Sequence, residues 1–522
     1  MDVKGYISIN HHQKPFTRQF ILKKLIEIGQ KDSSRILNPI ERSELQYFID
    51  EYPLPSLTTK HQEPSTIDSP LVTNHQSLVT FLAFNSNSAF RNLEYYDGNF
   101  YVNAMFDGGF SYAYQKSGEY VLNYWNGAAA FGSVGENVSY DLKFNDYSEK
   151  HSGIGTGRKF SPLQGYEFGT GRASTGTFNH DKTEGNLTYS WSWGNVALVK
   201  DNVLWGNGYD GQIIHSDKAP SYPHIRLTMS PAEWVDISYV HGDLNSGILD
   251  SATFRRTDGG RNHIQLVPKY FAAHIVTVNL WEDLRFSLGE SVIYSDRFEP
   301  MYLVPVLLFR FADHYFTNKD ETSGNAQMFS SLSYRIPGWK SRIDLSVFID
   351  ELSISNITGK YPEAVAFSAG LTRHDLLVDN LSAKIEYVRV NPFVYEHDDP
   401  AQSYGNRNYY MGHWIGSNAD MMYLEFSYIY DEKIRLVNEN TFVRRGDFFN
   451  NSEKRYKSGQ TFLYGDKSGY LTVSLRGEYE FLNNWFFDVS AVISNAWGKN
   501  NQIKPSDYKY AEISFGSGYG FN

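Results

Sequence analysis

The 522-residue chain contains no cysteine, which excludes disulfides, thiolate zinc sites, iron–sulfur clusters and cysteine nucleophiles together. It also lacks any run approaching the roughly 18 consecutive apolar residues that a membrane helix needs. The best candidate, Met301 to Phe309, is stopped by Arg310. A helical transmembrane bundle is therefore excluded. No long lysine or arginine run occurs and the formal charge is −11, so no nucleic-acid partner is expected. Met1-Asp2-Val3 supplies neither a basic start nor an apolar core, and no signal peptide is expected within this numbering. Charged residues are scarce at 20% while aromatics reach 16%, a balance that disordered chains do not have.

Signatures of catalysis are missing too. No Gly-x-Ser-x-Gly elbow and no His-Glu-x-x-His helix is present. Ser216 lies between His215 and Asp217, but neighbours along a strand face opposite sides and do not form a triad. His413 and Asp420 have no recognised metal-ligand spacing. The expectation is a protein that is not an enzyme and carries no cofactor or metal.

What is present divides the chain in two. Phe16, Phe20, Leu22, Leu25 and Ile26 recur at helical intervals, and Asn38-Pro39-Ile40-Glu41 combines an N-cap, a first-turn proline and an acid. Two helices are predicted, 16–28 and 39–51, followed by a Pro/Ser/Thr/Gln linker from Pro53 to Gln76. Residues 1–76 form this segment and 77–522 a separate β domain.

In the second part the hydrophobic period is two. Leu471, Val473, Leu475, Tyr479 and Phe481 share one face, and Thr472, Ser474, Arg476, Glu478 and Glu480 share the other. Ile343, Leu345, Val347 and Ile349 alternate with Arg342, Asp344, Ser346 and Asp350 in the same way. Such segments number about 18, with lengths suited to a tilted crossing of a bilayer. Short turns at 230–234, 281–283, 337–340 and 483–485 each carry a tryptophan. Long polar links run from Arg255 to His263, Asp313 to Gln327, Glu396 to Tyr409 and Arg445 to Lys467. Tight turns with an aromatic belt at one end and long loops at the other describe an outer-membrane barrel. The predicted fold is an all-β, transmembrane antiparallel barrel of about 18 strands with a small N-terminal helical segment.

A pore of that size is wide unless something fills it. The glycine-rich stretch His151 to Ser174 is a candidate for an inward-folded segment, and inward charges are expected to form a rigidifying lattice.

One block is more specific. Trp205-Gly206-Asn207-Gly208-Tyr209-Asp210-Gly211 leads through Ser216 and Pro220 to Ile225-Arg226-Leu227 and Tyr239-Val240-His241-Gly242. Further on come Gly289-Glu290-Ser291-Val292-Ile293-Tyr294, Tyr302-Leu303-Val304-Pro305, Phe348-Ile349-Asp350-Glu351 and Gly412-His413-Trp414-Ile415-Gly416. In this order the motifs resemble the Wzi family of outer-membrane capsule-assembly proteins.

The resemblance implies a Gram-negative outer membrane, a role holding capsular or other surface polysaccharide, and periplasmic helices that offer a surface to a periplasmic or surface protein partner. Lipid and polysaccharide are the expected partners. A scaffold for gliding motility or secretion, and a passive channel, are the alternatives. Trp205, Tyr209 and Asp210 read either as a tight turn with buried aromatics or as ligand contacts. Arg226, His241, Glu290, Asp350, Glu351 and His413 read as a lumen network. Tyr404, Tyr409, Tyr410, Phe448 and Tyr456 supply loop aromatics on which a sugar's C–H face stacks when the ring is exposed.

Overall fold

The computed structural model describes residues 1–32, 36–51, 78–83, 91–152, 170–172, 177–309, 324–351, 364–447, 461–482, 484–498 and 509–520. Eighteen antiparallel strands close into a barrel, the last (Lys509–Tyr519) pairing with the first (Phe100–Gln115) from Glu512↔Gln115 to Tyr519↔Gly108. A hairpin, Leu78–Ala83 with Arg91–Tyr96, occupies the remaining part of that edge of Phe100–Gln115. Closure satisfies the wall's amides, each of which would cost several kcal/mol unpaired in hydrocarbon.

The alternation read from sequence sets the two faces. Leu471, Val473, Leu475, Tyr479 and Phe481 are all exposed on the outer wall, as are Ile343 and Leu345, whereas Asp344, Ser346, Phe348 and Asp350 are buried inside. Short turns gather at one end, and Trp193, Trp234, Trp281 and Trp339 stand exposed there. That end is the periplasmic one in outer-membrane barrels. One expected loop is different. Val235–Arg256 and Asn262–Trp281 run for 22 and 20 residues, so Arg255 to His263 is a tight connection at the tip of a tall hairpin. Cross-strand pairs persist to Arg256↔Asn262, which leaves no long loop to form.

Helix α1 spans Arg18–Lys31 and helix α2 spans Pro39–Glu51. Phe16 precedes the first helix, because the Thr17 hydroxyl accepts from the Phe20 amide at 3.2 Å and so caps it. At α2 the Glu41 amide donates to Asn38 Oδ1 and the Asn38 amide to Glu41 Oε2, both at 2.9 Å, the reciprocal box that starts a helix. Ile7, Ile28, Leu37 and Leu45 form the small core beneath them.

This unit seals against the short turns. Asn38 Nδ2 donates to Asn380 Oδ1 at 2.9 Å, Tyr47 Oη to Glu480 Oε1 at 3.0 Å, and Lys4 lies 2.6 Å from Asp375. Burial would raise the Asp375 carboxyl, but hydrogen bonds from Lys340 and Lys4 outweigh it and hold the carboxyl well below its ordinary range.

The segment preceding α1 is not wholly outside the barrel. Gln13–Lys14 pairs as a strand with Leu204–Trp205, and Gln13 Nε2 donates to Thr277 Oγ1 of the wall at 2.7 Å. The two ring nitrogens of His12 reach Ser287 and Ser333. The helical unit therefore sits at the mouth while its leading strand enters the lumen. The stretches Pro53 to Gln76 and 153–169 lie outside the described residues.

Candidate functional site

Two loops from the long-loop end fold into the barrel and meet inside it. The first, 202–221, joins Gly194–Asp201 to Tyr222–Ala232; the second, 391–418, joins Leu381–Val390 to Ala419–Ile429. Their aromatic and aliphatic side chains merge into one core with inward residues of the wall, including Val240, Phe271, Ile275, Phe329, Phe348 and Val388.

Polar groups lock the loops to each other. Tyr395 Oη donates to the carbonyl of Ile213 at 2.7 Å and Tyr404 Oη to that of Ile214 at 2.8 Å. Ser216 Oγ donates to Gly412 O and the Trp414 indole to Asp210 O, both at 2.6 Å. Gly211 has φ +141° and its Cβ position is 2.9 Å from His413 Nε2, so no side chain fits there.

Other bonds reach the wall. Asn207 Nδ2 donates to the carbonyls of Leu332 (3.2 Å) and Leu345 (3.3 Å), and the Tyr395 amide to Asp350 Oδ2 (2.6 Å). The amides of Tyr209 and Asp210 both point at Glu386 Oε2, at 3.0 and 3.3 Å.

The plug is a close-packed body whose two buried histidines are uncharged. Burial, with Lys218 and Arg445 nearby, lowers His413 to about 3, and burial lowers His215 to about 4. Burial raises Asp210 to about 6 despite Lys218. Among the described residues no cluster of His, Asp or Glu is placed to hold a metal ion.

The residues singled out from sequence separate into groups. Trp205, Tyr209, Asp210, Tyr404, Tyr409 and Tyr410 come together in this plug. Tyr404, expected as an exposed ring, is fully buried, because its loop turns into the lumen and its hydroxyl is spent on Ile214. Tyr409 and Tyr410 are half-buried, and Tyr410 donates to Glu396. Arg226, Asp350 and His413 are buried inside the barrel, whereas the side chain of Glu351, together with Phe448 and Tyr456, lies outside the described residues.

His241 and Glu290 are corrected. Both sit on the outer wall, Glu290 on the same face as the exposed Phe286 and Leu288, and His241 on that of Ile237. They remain buried because residues 296–309 fold back over the barrel's outside. His274 Nε2 is 3.3 Å from Glu290 Oε1, which also accepts the Phe309 amide at 2.7 Å. Tyr239 Oη donates to Tyr302 O at 2.6 Å, and His241 Nε2 meets Tyr294 Oη at 2.8 Å. The strap turns Leu303, Val304, Val306 and Leu308 outward. Polar side chains at membrane depth are expensive unless covered, and this strap covers them.

Sequence reasoning missed one more feature. A cavity of about 1050 Å³ lies between α1 and the barrel's short-turn mouth, lined by Lys14, Phe20, Lys23, Trp191, Trp205 and Arg226 among others. Nothing in the periodicity signalled it, since its walls come from distant segments.

No protein-family model matches the sequence, and no curated protein does. Solved structures do match. Wzi from Escherichia coli, described as an outer-membrane protein involved in group 1 capsule assembly and a carbohydrate-binding β-barrel, superposes with a TM-score of 0.56 at 11% identity, over 100% of this chain and 96% of that one. This chain shares the fold of Wzi. The likeness extends over the helices as well as the barrel. OprD from Pseudomonas aeruginosa also matches, with a TM-score of 0.43 at 10% identity over 80% of this chain and 94% of that one. So does OccK7 of the same bacterium, at 0.45, 9%, 81% and 98%.

Proposed function

We propose that this protein is a non-enzymatic outer-membrane barrel that binds surface polysaccharide and supports its assembly at the cell surface. The observation that carries the reading is the fold shared with Wzi over the entire chain, including the helical unit at the mouth. The plug supports it. Trp205, Tyr209, Asp210 and His413, which carry the sequence resemblance, form the joint between the two inward loops, where a transport pore has no use for them. The test is binding of the purified full chain, in detergent, to an array of capsular and other bacterial oligosaccharides. Specific retention of one glycan class is expected, and no affinity for any carbohydrate overturns the reading.

A second reading, a diffusion channel, is favoured by one feature. The strands from Trp485–Gly498 round to Thr177–Trp191 add nothing to the plug core among the described residues. On the neighbouring strand Arg476 pairs with Glu478 at 3.5 Å, with the arginine side chain 50% exposed inside the lumen. Planar-bilayer conductance above that of the empty membrane supports this reading, and its absence removes it.

A further inference from the structure

We propose that the cavity between α1 and the short-turn mouth binds an acidic saccharide, a pyranose carrying a carboxylate; the proposal rests on the polysaccharide reading above and assigns it a site. The cavity's volume, about 1050 Å³, reaches the upper end of ligand pockets, roughly 300–1,000 Å³. It opens on the periplasmic side, away from the loops at the opposite rim.

The decisive group is Arg226. It lines the cavity, its residue is 3% exposed, and its Nη1 has no hydrogen-bond partner. A buried guanidinium normally has a carboxylate beside it, because an unpaired charge in a protein interior costs several kcal/mol. The other arginines of this cavity are committed: Arg285 to Asn279 Oδ1 at 2.8 Å and Arg335 to Asp283 at 2.8 Å. Likewise Lys24 and Lys31 are held by Glu27, at 2.8 and 3.1 Å. Arg226, Lys14 and Lys23 make no ion pair among the described residues, although all of them line the same space. Glu27, Glu233, Asp236 and Glu282 also line the cavity, so cations exceed carboxylates there by seven to four, and a planar guanidinium matches a carboxylate in a bidentate fork.

Charge alone would suit any anion; the rest of the lining selects a sugar. Trp191 and Trp193 stand edge to face at 5.3 Å, and Phe16 and Phe20 add further rings. Such surfaces take the C–H face of a pyranose. Beside them Trp191 Nε1 and Asn195 Oδ1 are a donor and an acceptor with no protein partner, the pair that ring hydroxyls satisfy. An inorganic anion would leave both unused.

The experiment is isothermal titration of the full chain in detergent with trigalacturonate, maltotriose and inorganic phosphate. Trigalacturonate is expected to bind, maltotriose to bind at least about tenfold more weakly, and phosphate not to compete at equal concentration. Arg226→Gln is expected to weaken trigalacturonate by about tenfold or more while the heat-modifiable gel shift of the folded barrel stays. Should that variant fail to fold, the pair Lys14→Gln with Lys23→Gln is expected to weaken binding in the same direction. Equal trigalacturonate affinity in wild type and variants, or full competition by phosphate, overturns the proposal and leaves the polysaccharide reading standing. No binding of either saccharide here, together with a blank glycan array, removes both.

Discussion

Tyr209 Oη donates to Asp344 Oδ2 across 2.9 Å, so the inward loop is bonded directly to the barrel wall. Asp344 also accepts from Arg342 Nε at 2.8 Å. Tyr209→Phe leaves the carboxylate with that partner and removes one hydrogen bond to a charged group, worth about 1.5–3 kcal/mol. The expected result is a lower unfolding midpoint in urea with an unchanged closed barrel, read by the heat-modifiable gel shift. A midpoint equal to wild type would show that the bond contributes nothing.

The paired tyrosines that clasp the plug are expected to matter more. Tyr395→Phe and Tyr404→Phe each strip the donor from a buried carbonyl, Ile213 and Ile214. An unsatisfied buried acceptor costs about 1–3 kcal/mol. The double variant should loosen the joint between the loops, seen as faster amide exchange at 213–216 and 411–414. Exchange no faster than wild type would count against a clasp.

Under the strap, removing one partner differs from removing both. Glu290→Ala leaves the Phe309 amide and His274 without their acceptor, and an unsatisfied buried donor costs about 1–3 kcal/mol. His274→Leu combined with Glu290→Leu removes the polar pair together and is expected to recover much of that loss. Unfolding of the three proteins in the same lipid vesicles measures it. A double variant less stable than Glu290→Ala would overturn this account.

The mouth should respond to acid with a definite sign. The Asp375 carboxyl is held below its ordinary value of 3.8, so its contribution is complete above that pH and is lost as the pH falls toward its lowered folded value. Pepsin should therefore leave residues 1–31 intact near pH 4 and cut them in stronger acid. Asp375→Asn removes the anchor for Lys4 and Lys340 and should make the segment cleavable at the milder pH as well. Identical cleavage profiles would refute this.

The wall was legible in sequence because alternation is a local signal. Leu471, Val473 and Leu475 announce a lipid face without any knowledge of their partners, and Asn38 with Glu41 announces a helix start. The contents of the barrel were not, since a loop that turns inward has the same polar, aromatic composition as one that turns out. Tyr404 shows this: its burial is decided by Ile214, 190 residues away in the chain. His241 and Glu290 were readable by parity, sharing faces with Ile237 and Phe286, but a charged residue at such a position suggests an inward face until its cover is known. The two-residue strand Gln13–Lys14 has no period at all.

Asn10 is hydrogen-bonded to Asp236, Gln13 to Thr277, and His12 to Ser287 and Ser333. The leading segment is thus fastened to residues more than 220 positions further along the chain. Its seat is built by the pairing of Val235–Arg256, Asn262–Trp281, Leu284–Ser295 and Asn325–Ile336 with one another.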